Sequence, residues 1–257
     1  MLTAADAYRN AVTNLDRSLA IVAKTPQVAR ETQYYTANIS NVKSVDDFMG
    51  NRRLLRYALT AHGLGDLNYA QAFVRRLLEG GVDDTQSLAN RLSDQRYRDF
   101  VGTFNFARYG AGTTAFDRTQ KGTTVLYARQ VLEQNTGEQN EGARLALYFR
   151  RKAAGFTSPL HVLADAAALK VVQTATGLTP YMSNLSLDAQ IEMIKGKIDV
   201  ANFADPAKLD KFLKRFTILW DVNNPASGAV SSTIATLSTS GFSPDILTAI
   251  QRAKTRL

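Results

Sequence analysis

The chain has 257 residues, of which 45% are hydrophobic, and its 31 basic and 23 acidic side chains give a formal net charge of +8. This apolar share is enough for a folded core and argues against a disordered chain. The absence of cysteine excludes disulfides, thiolate catalysis and cysteine-ligated metals. No stretch approaches the roughly twenty apolar residues that span a membrane. Asp6, Arg9 and Asn10 interrupt the apolar run that a signal peptide needs, so we expect no cleaved secretory signal.

Helix signals run through the whole chain. Apolar residues at helical intervals over residues 3–23 predict one amphipathic helix, and a second helix is predicted from Thr25 to about Ile39. Proline is favoured at the first helical position, directly after a capping residue. That arrangement predicts four helix starts, at Thr25-Pro26, Ser158-Pro159, Asp205-Pro206 and Ser243-Pro244. We therefore predict an all-α fold.

One stretch of the sequence occurs twice. Ser44 to Leu64 (SVDDFMGNRRLLRYALTAHGL) returns as Ser158 to Leu178 (SPLHVLADAAALKVVQTATGL), shifted by 114 positions (158 − 44) without a gap. Each copy is predicted to be a helix capped by its serine and ended by a left-handed glycine, Gly63 or Gly177. The match predicts two tandem copies of a multi-helix unit, packed as one globule with approximate twofold symmetry. The alternative is that helices with common caps resemble one another.

The duplication and the helix signals together predict five segments. These are N-terminal helices in residues 1–33, a first helical repeat in 34–108, a connecting loop and helix in 109–147, a second helical repeat in 148–221, and a flexible Ser/Thr-rich connector with a C-terminal helix in 222–257. Glycine and threonine dominate residues 109–124, which predicts a long surface loop or hairpin. Residues 135–142 (NTGEQNEG) are predicted to interrupt the helical pattern.

No motif predicts catalysis. Neither histidine, His62 or His161, has a carboxylate cluster at metal-ligand spacing beside it. A serine elbow, a phosphate loop and a dinucleotide fingerprint are all missing from the sequence. We therefore expect a non-enzymatic protein with no catalytic residue, cofactor or metal site. A small-ligand or enzymatic site in a cleft between the copies is an alternative, and it predicts a pocket lined by convergent polar groups.

Basic side chains gather at several helical segments, and one interpretation is a docking surface for an acidic protein or nucleic acid. The residues of this predicted surface are Arg52, Arg53, Arg56, Arg150, Arg151, Lys152, Lys208, Lys211, Lys214 and Arg215. The other interpretation is ordinary solvated helix faces. The aromatic residues lie on apolar stripes rather than between the basic ones, which disfavours single-strand binding. A basic nucleic-acid-binding regulator remains the alternative function, and it predicts an affinity that falls steeply with salt.

Three blocks carry a family resemblance. They are the pattern V-x-S-V-D-D-F-M-x-N-x-R-L-L-x-x-A-L-x-A-x-G-L at Val42 to Leu64, LANRLSDQRYRDF at Leu88 to Phe100, and GARLALYFRR at Gly142 to Arg151. Together they resemble an alphaproteobacterial family of unknown function whose members are frequently encoded among flagellar genes. The chain departs from that family at Asn51, where aspartate is usual, whereas the second copy has Asp165 at that place.

The resemblance implies an all-helical fold and a connection to flagellar structure or assembly, and it carries over no catalytic residue. We therefore expect a helical protein-binding protein that serves as a structural, assembly or regulatory factor of the flagellum. Its expected partners are other proteins, including flagellar components. Its expected location is the cytoplasm, or the flagellum after export that needs no signal peptide.

Overall fold

The computed structural model describes residues 2–225 of the chain. Over that range the fold is all-α, as the sequence predicts, and it contains no strand. The α-helices are α1 (Ala4–Val12), α2 (Leu15–Ala23), α3 (Pro26–Asn38), α4 (Val45–Gly50), α5 (Arg52–Ala61), α6 (Gln71–Gly80), α7 (Leu88–Arg91), α8 (Gln95–Thr103), α9 (Phe106–Tyr109), α10 (Thr123–Gln139), α11 (Glu141–Lys152), α12 (Pro159–Leu163), α13 (Ala166–Thr176), α14 (Leu187–Lys195) and α15 (Pro206–Asn223).

The described residues form two compact units. Asn14–Leu132 make up one of them, the central unit, and residues 2–13 together with 133–225 make up the other, the terminal unit. Helix α1 thus belongs to the terminal unit although α2 and α3 belong to the central unit. The predicted connector and C-terminal helix of residues 222–257 fall outside the described residues from 226 onward, including the predicted start at Ser243-Pro244.

The helix predicted over residues 3–23 is wrong in one respect, because it is broken into α1 and α2 at Thr13-Asn14. The Asn14 side chain accepts a hydrogen bond from the Arg17 N–H at 2.9 Å and so caps α2. Asparagine competes with the helix in this way because its side-chain oxygen replaces a backbone acceptor. The predicted proline starts at Pro26, Pro159 and Pro206 are confirmed.

The repeated stretch is likewise two helices in each copy rather than one. The breaks fall at Asn51, which accepts from the Leu54 N–H at 3.1 Å, and at Asp165, which accepts from the Ala168 N–H at 2.9 Å. Each polar side chain therefore caps a new helix, α5 or α13. The predicted left-handed glycines are confirmed, since Gly63 and Gly177 both have φ of 72°.

Residues 109–124 are not the predicted surface loop. They contain a 3₁₀ helix at Gly110–Ala115 and a π-helix at Arg118–Gly122, followed by the first turn of α10. The reason is that their threonines are buried and satisfied: Thr114 donates to the Val42 carbonyl at 2.8 Å, and Thr119 donates to the Phe116 carbonyl at 2.7 Å. A buried hydroxyl is tolerated when it is hydrogen-bonded.

The interruption predicted at residues 135–142 is confirmed at Asn140 alone, because α10 continues to Gln139 and α11 begins at Glu141. The helix carries Gly137 within it and buries Thr136, and the chain breaks only at Asn140. The Asn140 side chain accepts from the Gly142 N–H at 2.9 Å and caps α11. Burial of one face of α10 therefore outweighs the weak helix propensity of its glycine and asparagine.

Aromatic side chains fill the core of the central unit. Tyr35 stacks on Tyr57 with ring centroids 4.4 Å apart, and Tyr57 stacks on Tyr127 at 3.9 Å. The Tyr35 hydroxyl donates to the Thr119 carbonyl at 2.6 Å, which links α3 to the π-helix. Phe48 packs against Phe104 nearby at 4.9 Å. Offset ring pairs of this kind contribute about 0.5–1.5 kcal/mol beyond the area that they bury.

The terminal unit has its own aromatic core. Phe149 of α11 contacts Phe203 at 4.9 Å and Phe212 of α15 at 5.5 Å, and Phe203 contacts Phe212 at 4.9 Å. Helix α15 also packs on α1 and α13. Leu213 and Phe216 of α15 are fully buried in this core. Helix α15 is thus the element on which this unit is assembled.

A polar contact recurs at the 114-residue shift. The Tyr34 hydroxyl lies 3.2 Å from the Asn51 side-chain nitrogen, and the Tyr148 hydroxyl donates to the Asp165 carboxylate at 2.5 Å. Asn51 therefore caps a helix and contacts a tyrosine as Asp165 does, so the departure from the family pattern removes neither contact. The duplication itself stays a prediction, and superposition of residues 34–104 on 148–216 tests it.

We expect Asn51→Ala to lower the free energy of unfolding by about 1 kcal/mol, because α5 loses its N-cap. Asn51→Asp should leave stability within a few tenths of a kcal/mol, since aspartate caps equally well. Urea titration followed by circular dichroism measures both. Equal stability of wild type and Asn51→Ala would show that the cap contributes nothing to the fold.

Candidate protein-docking surface

The predicted basic residues of the central unit differ in whether they are exposed or engaged in an ion pair within the unit. Arg52 and Arg56 are exposed on α5. Arg53 forms a bidentate ion pair with Glu31, with N···O distances of 3.0 and 3.1 Å, and its guanidinium lies 3.9 Å from the centre of the Tyr34 ring. Its pKa is held above the ordinary value, chiefly by the hydrogen bonds to Glu31. Arg53 therefore joins α3 to α5 before any partner binds.

The arginines of α11 also form ion pairs within the protein. Arg150 forms an ion pair with Asp210 of α15 and donates to the Tyr8 hydroxyl of α1 at 3.1 Å. Arg151 forms a bidentate ion pair with the buried carboxylate of Glu133, at 2.6 and 2.9 Å. Burial pulls the pKa of Arg151 down, but the bonds to Glu133 outweigh it and hold the pKa above its ordinary value. These two arginines stabilise the terminal unit.

Lysines on α15 form the accessible part of the predicted surface in the terminal unit. Lys208, Lys211 and Lys214 are exposed and follow one another at three-residue spacing, which places them along one side of the helix. Lys208 donates to the Asn202 side chain at 2.7 Å. Lys152 and Arg215 are only partly exposed. We call Lys208, Lys211 and Lys214 the lysine ridge.

The terminal unit also exposes large apolar side chains that sequence reasoning missed. Tyr181 is 79% exposed, and Leu160, Leu185 and Leu187 are about half exposed. Leu160 lies on α12, which packs against α14, where Leu187 is the first residue. Tyr181 lies in the 3₁₀ helix Pro180–Asn184 just before α14. We call these four residues the α12–α14 apolar surface.

Two short helices begin within this segment. The Thr179 hydroxyl accepts from the Tyr181 N–H at 3.3 Å, and the Ser186 hydroxyl accepts from the Ala189 N–H at 3.4 Å. The 3₁₀ helix between the two caps buries Met182 and leaves Tyr181 exposed. The caps are readable in the sequence, but which of these side chains is buried depends on the neighbouring helices.

The residue 114 positions before Leu160, at the shift of the predicted duplication, is charged. Position 46 lies 114 residues before Leu160 (160 − 46), and it holds Asp46 of α4. Asp46 forms an ion pair at 2.5 Å with Arg75 of α6, and α4 packs on α6. An exposed ion pair is compatible with water, whereas a large exposed apolar patch is typical of sites that bind another protein.

The two histidines lie in different units. The His62 ring packs edge-on against Phe100 and Phe104, with centroid distances of 5.5 and 6.0 Å. His161 of α12 places its Nδ1 3.3 Å from the Thr157 hydroxyl. Among residues 2–225 no group of histidine and carboxylate side chains could hold a metal ion. Within the same range no helix combines the length and the apolar composition that crossing a membrane requires.

Comparison with known proteins identifies the family. Residues 61–209, more than half of the chain, match the family described as "Protein of unknown function (DUF1217)". The chain belongs to the DUF1217 family. A crystal structure of a protein from the alphaproteobacterium Agrobacterium tumefaciens is similar to this DUF1217 chain, with a TM-score of 0.80 and 44% sequence identity over 86% of this chain and 94% of that one. No curated protein sequence shows significant similarity to this DUF1217 chain.

Proposed function

We propose that this DUF1217 protein is a non-enzymatic helical protein that binds other proteins as a structural, assembly or regulatory factor of the flagellum. The α12–α14 apolar surface is the observation that supports the protein-binding role. The flagellar part rests on the resemblance of three sequence blocks to a family frequently encoded among flagellar genes. In this proposal the protein acts in the cytoplasm, or at the flagellum after export without a signal peptide.

The α12–α14 apolar surface has the composition of a binding site for a protein. Tyrosine is enriched at such sites because its ring buries a large area at low entropic cost and its hydroxyl can stay hydrogen-bonded. Tyr181 is the most exposed member, and Leu185 and Leu187 follow it closely in the chain. A folded protein ordinarily covers large apolar side chains, so several of them exposed on helices that pack together indicate a partner.

The test is affinity capture with the full chain from cells that are assembling flagella, followed by binding measurements with each captured protein. We expect Tyr181→Ser with Leu187→Ser to weaken binding by tenfold or more, because the variant removes the apolar anchors. Tyr69→Ser is the matched control, since Tyr69 of the central unit is 91% exposed. Equal loss in the control, or full binding by the double variant, would contradict the proposed surface.

The flagellar assignment has a separate test. Deleting the gene and scoring swimming and filament number should reveal a motility defect. The Tyr181→Ser/Leu187→Ser variant should fail to restore motility, whereas Tyr69→Ser should restore it. Normal motility of the deletion strain under all conditions would refute the flagellar role, and the binding measurements would then decide the protein-binding role alone.

A nucleic-acid-binding regulator is the second candidate, and the lysine ridge favours it. Exposed lysines along one helix can contact successive phosphates. Fluorescence anisotropy with duplex DNA and with single-stranded RNA should then show an affinity that falls steeply from 50 to 200 mM salt. Replacing Lys208, Lys211 and Lys214 by glutamine should reduce both the affinity and the salt dependence. No binding at low salt would eliminate this candidate.

A further inference from the structure

Helix α1 is held in the terminal unit by directional polar contacts at its first turn. The Ala4 and Ala5 N–H groups donate to the two carboxylate oxygens of Asp221, at 2.7 and 3.2 Å. These are the donors that a helix leaves without a partner at its start, and a carboxylate there also meets the positive end of the helix dipole. Asp221 on α15 therefore recognises the beginning of α1.

The packed face of α1 is small. It consists of Ala4, Ala7, Tyr8 and Ala11, and it lies against α11 and α15. Alanine buries little apolar area, so each contact stabilises the docked helix only modestly. Tyr8 adds a polar contact, because its hydroxyl accepts from Arg150 at 3.1 Å. We call the surface of α11 and α15 that receives this face the α1 groove.

The joint between α1 and α2 is where the chain passes from one unit to the other. Residues up to Thr13 belong to the terminal unit and Asn14 begins the central unit. Both joint residues are exposed, and Asn14 has φ of −142° and ψ of 80°. Helix α2 after the joint is lightly anchored, with Val22 as its buried residue. The joint residues Thr13 and Asn14 therefore have no packed side chain of their own.

The apolar pattern of the sequence is also compatible with a continuous helix through this joint. Val12, Leu15, Leu19 and Val22 follow one another in helical register through the break, and for this reason the sequence predicts a single helix over residues 3–23. A continuous helix would exchange the Asn14 cap for ordinary helical hydrogen bonds. A groove vacated by its own α1 would offer the same contacts to α1 of another copy.

We propose that α1 exchanges between copies of this chain, with the α1 groove of one copy receiving α1 of a second copy. Exchange of an identical element costs little, since the contacts made between copies replace the same contacts made within one copy. Reciprocal exchange closes a dimer with twofold symmetry, and one-way exchange continues as an open chain of copies. The α1 groove is therefore a binding site for a second copy.

The joint is the first test, and it uses the full chain in size-exclusion chromatography with light scattering over a range of concentrations. Thr13→Ala with Asn14→Ala removes the cap and favours the continuous helix, so we expect the dimerisation constant to rise about fivefold. Leu15→Pro should abolish the exchanged dimer, because proline is accepted at the first position of α2 but not inside a continuous helix. Asn10→Ala and Leu15→Ala are the matched controls.

Complementation between two damaged copies is the second test. Ala7→Arg places a large charge on the packed face of α1, and Asp221→Ala removes the acceptor of the α1 groove. Each variant alone should stay monomeric, and an equimolar mixture should form a one-to-one dimer, in which the intact α1 of one copy occupies the intact groove of the other. Asn10→Arg adds the same charge on the exposed side of α1 and should behave as wild type.

Two results would overturn the proposal. A chain that stays monomeric in wild type and in the Thr13→Ala/Asn14→Ala variant overturns the proposal. So does a dimer that Leu15→Pro leaves unchanged. The joint variants alter no residue of the α1 groove, so they decide the matter even if Ala7→Arg unfolds the terminal unit, which circular dichroism reveals.

Discussion

Replacing Gly142 by alanine is expected to destabilise the terminal unit by about 1–3 kcal/mol, as overpacking of a filled core does. Gly142 is buried at the second position of α11. A Cβ atom there would lie 2.5 Å from Cγ and 2.6 Å from Nε1 of Trp220, well inside van der Waals contact. The indole must move, and it is itself buried on α15. Trp220 is the only tryptophan of the chain, so its fluorescence during urea unfolding reports on this site directly.

Two variants make that measurement specific. Gly155→Ala is the matched control in the same unit, because a Cβ at Gly155 meets nothing within 4 Å. Trp220→Phe in the Gly142→Ala background gives the added methyl group room, so the double variant should be more stable than the sum of the two single effects predicts. Circular dichroism follows the unfolding of this variant and of its parents, because Trp220→Phe removes the only tryptophan. Wild-type stability and unchanged emission in Gly142→Ala would show that helix and indole are not in close contact.

Replacing Glu133 by alanine is expected to cost about 3–5 kcal/mol, because it leaves the Arg151 guanidinium buried without its counter-charge. Glu133 is 4% exposed and bonds to Arg151 through both carboxylate oxygens. The pair joins α10 to α11. Chemical denaturation of wild type and variant measures the difference in the free energy of unfolding.

The same pair can be removed as a unit. Glu133→Leu with Arg151→Met replaces both charges by apolar side chains of similar length, and it should recover most of the stability that Glu133→Ala loses. Glu141→Ala is the matched control: it breaks the exposed pair with Arg144 and should cost less than 1 kcal/mol. A loss no larger for Glu133→Ala than for Glu141→Ala would mean that water screens both pairs equally.

Four helix breaks in this protein share one cause. At Asn14, Asn51, Asn140 and Asp165 a side-chain oxygen accepts a backbone N–H two or three residues later. The apolar spacing passes through three of these positions, so periodicity alone predicts longer helices. Asparagine and aspartate are strong N-caps, and this signal was readable in the sequence. At these positions the cap outweighs the apolar period.

The threonine-rich segment before α10 illustrates a different limit. Its composition predicts a loop, because glycine and threonine are poor helix formers. The structure buries Thr113, Thr114 and Thr119 completely and satisfies their hydroxyls with backbone carbonyls. The acceptor for Thr114 is the carbonyl of Val42, which is 72 residues away in the chain. No local pattern contains that partner.

The basic residues show the same division between local and long-range information. Their presence on helices follows from the sequence, and so does the exposed spacing of Lys208, Lys211 and Lys214. That Arg53 and Arg151 are engaged in ion pairs depends on Glu31 and Glu133, which are 22 and 18 residues away. The α12–α14 apolar surface likewise emerges only when neighbouring helices are seen to leave Tyr181 uncovered.

The sequence by itself determined the helical class, the proline starts and the left-handed glycines, because caps, periodicity and backbone strain act within a few residues. The tertiary structure alone decided which arginines are paired, which threonines are buried, and that α1 packs with distant residues, since the Tyr8 hydroxyl of α1 accepts from Arg150 across 142 residues. These outcomes depend on which surfaces meet when the chain folds. Burial and ion pairing each require two surfaces that lie far apart in the chain, whereas a local sequence pattern describes only one of them.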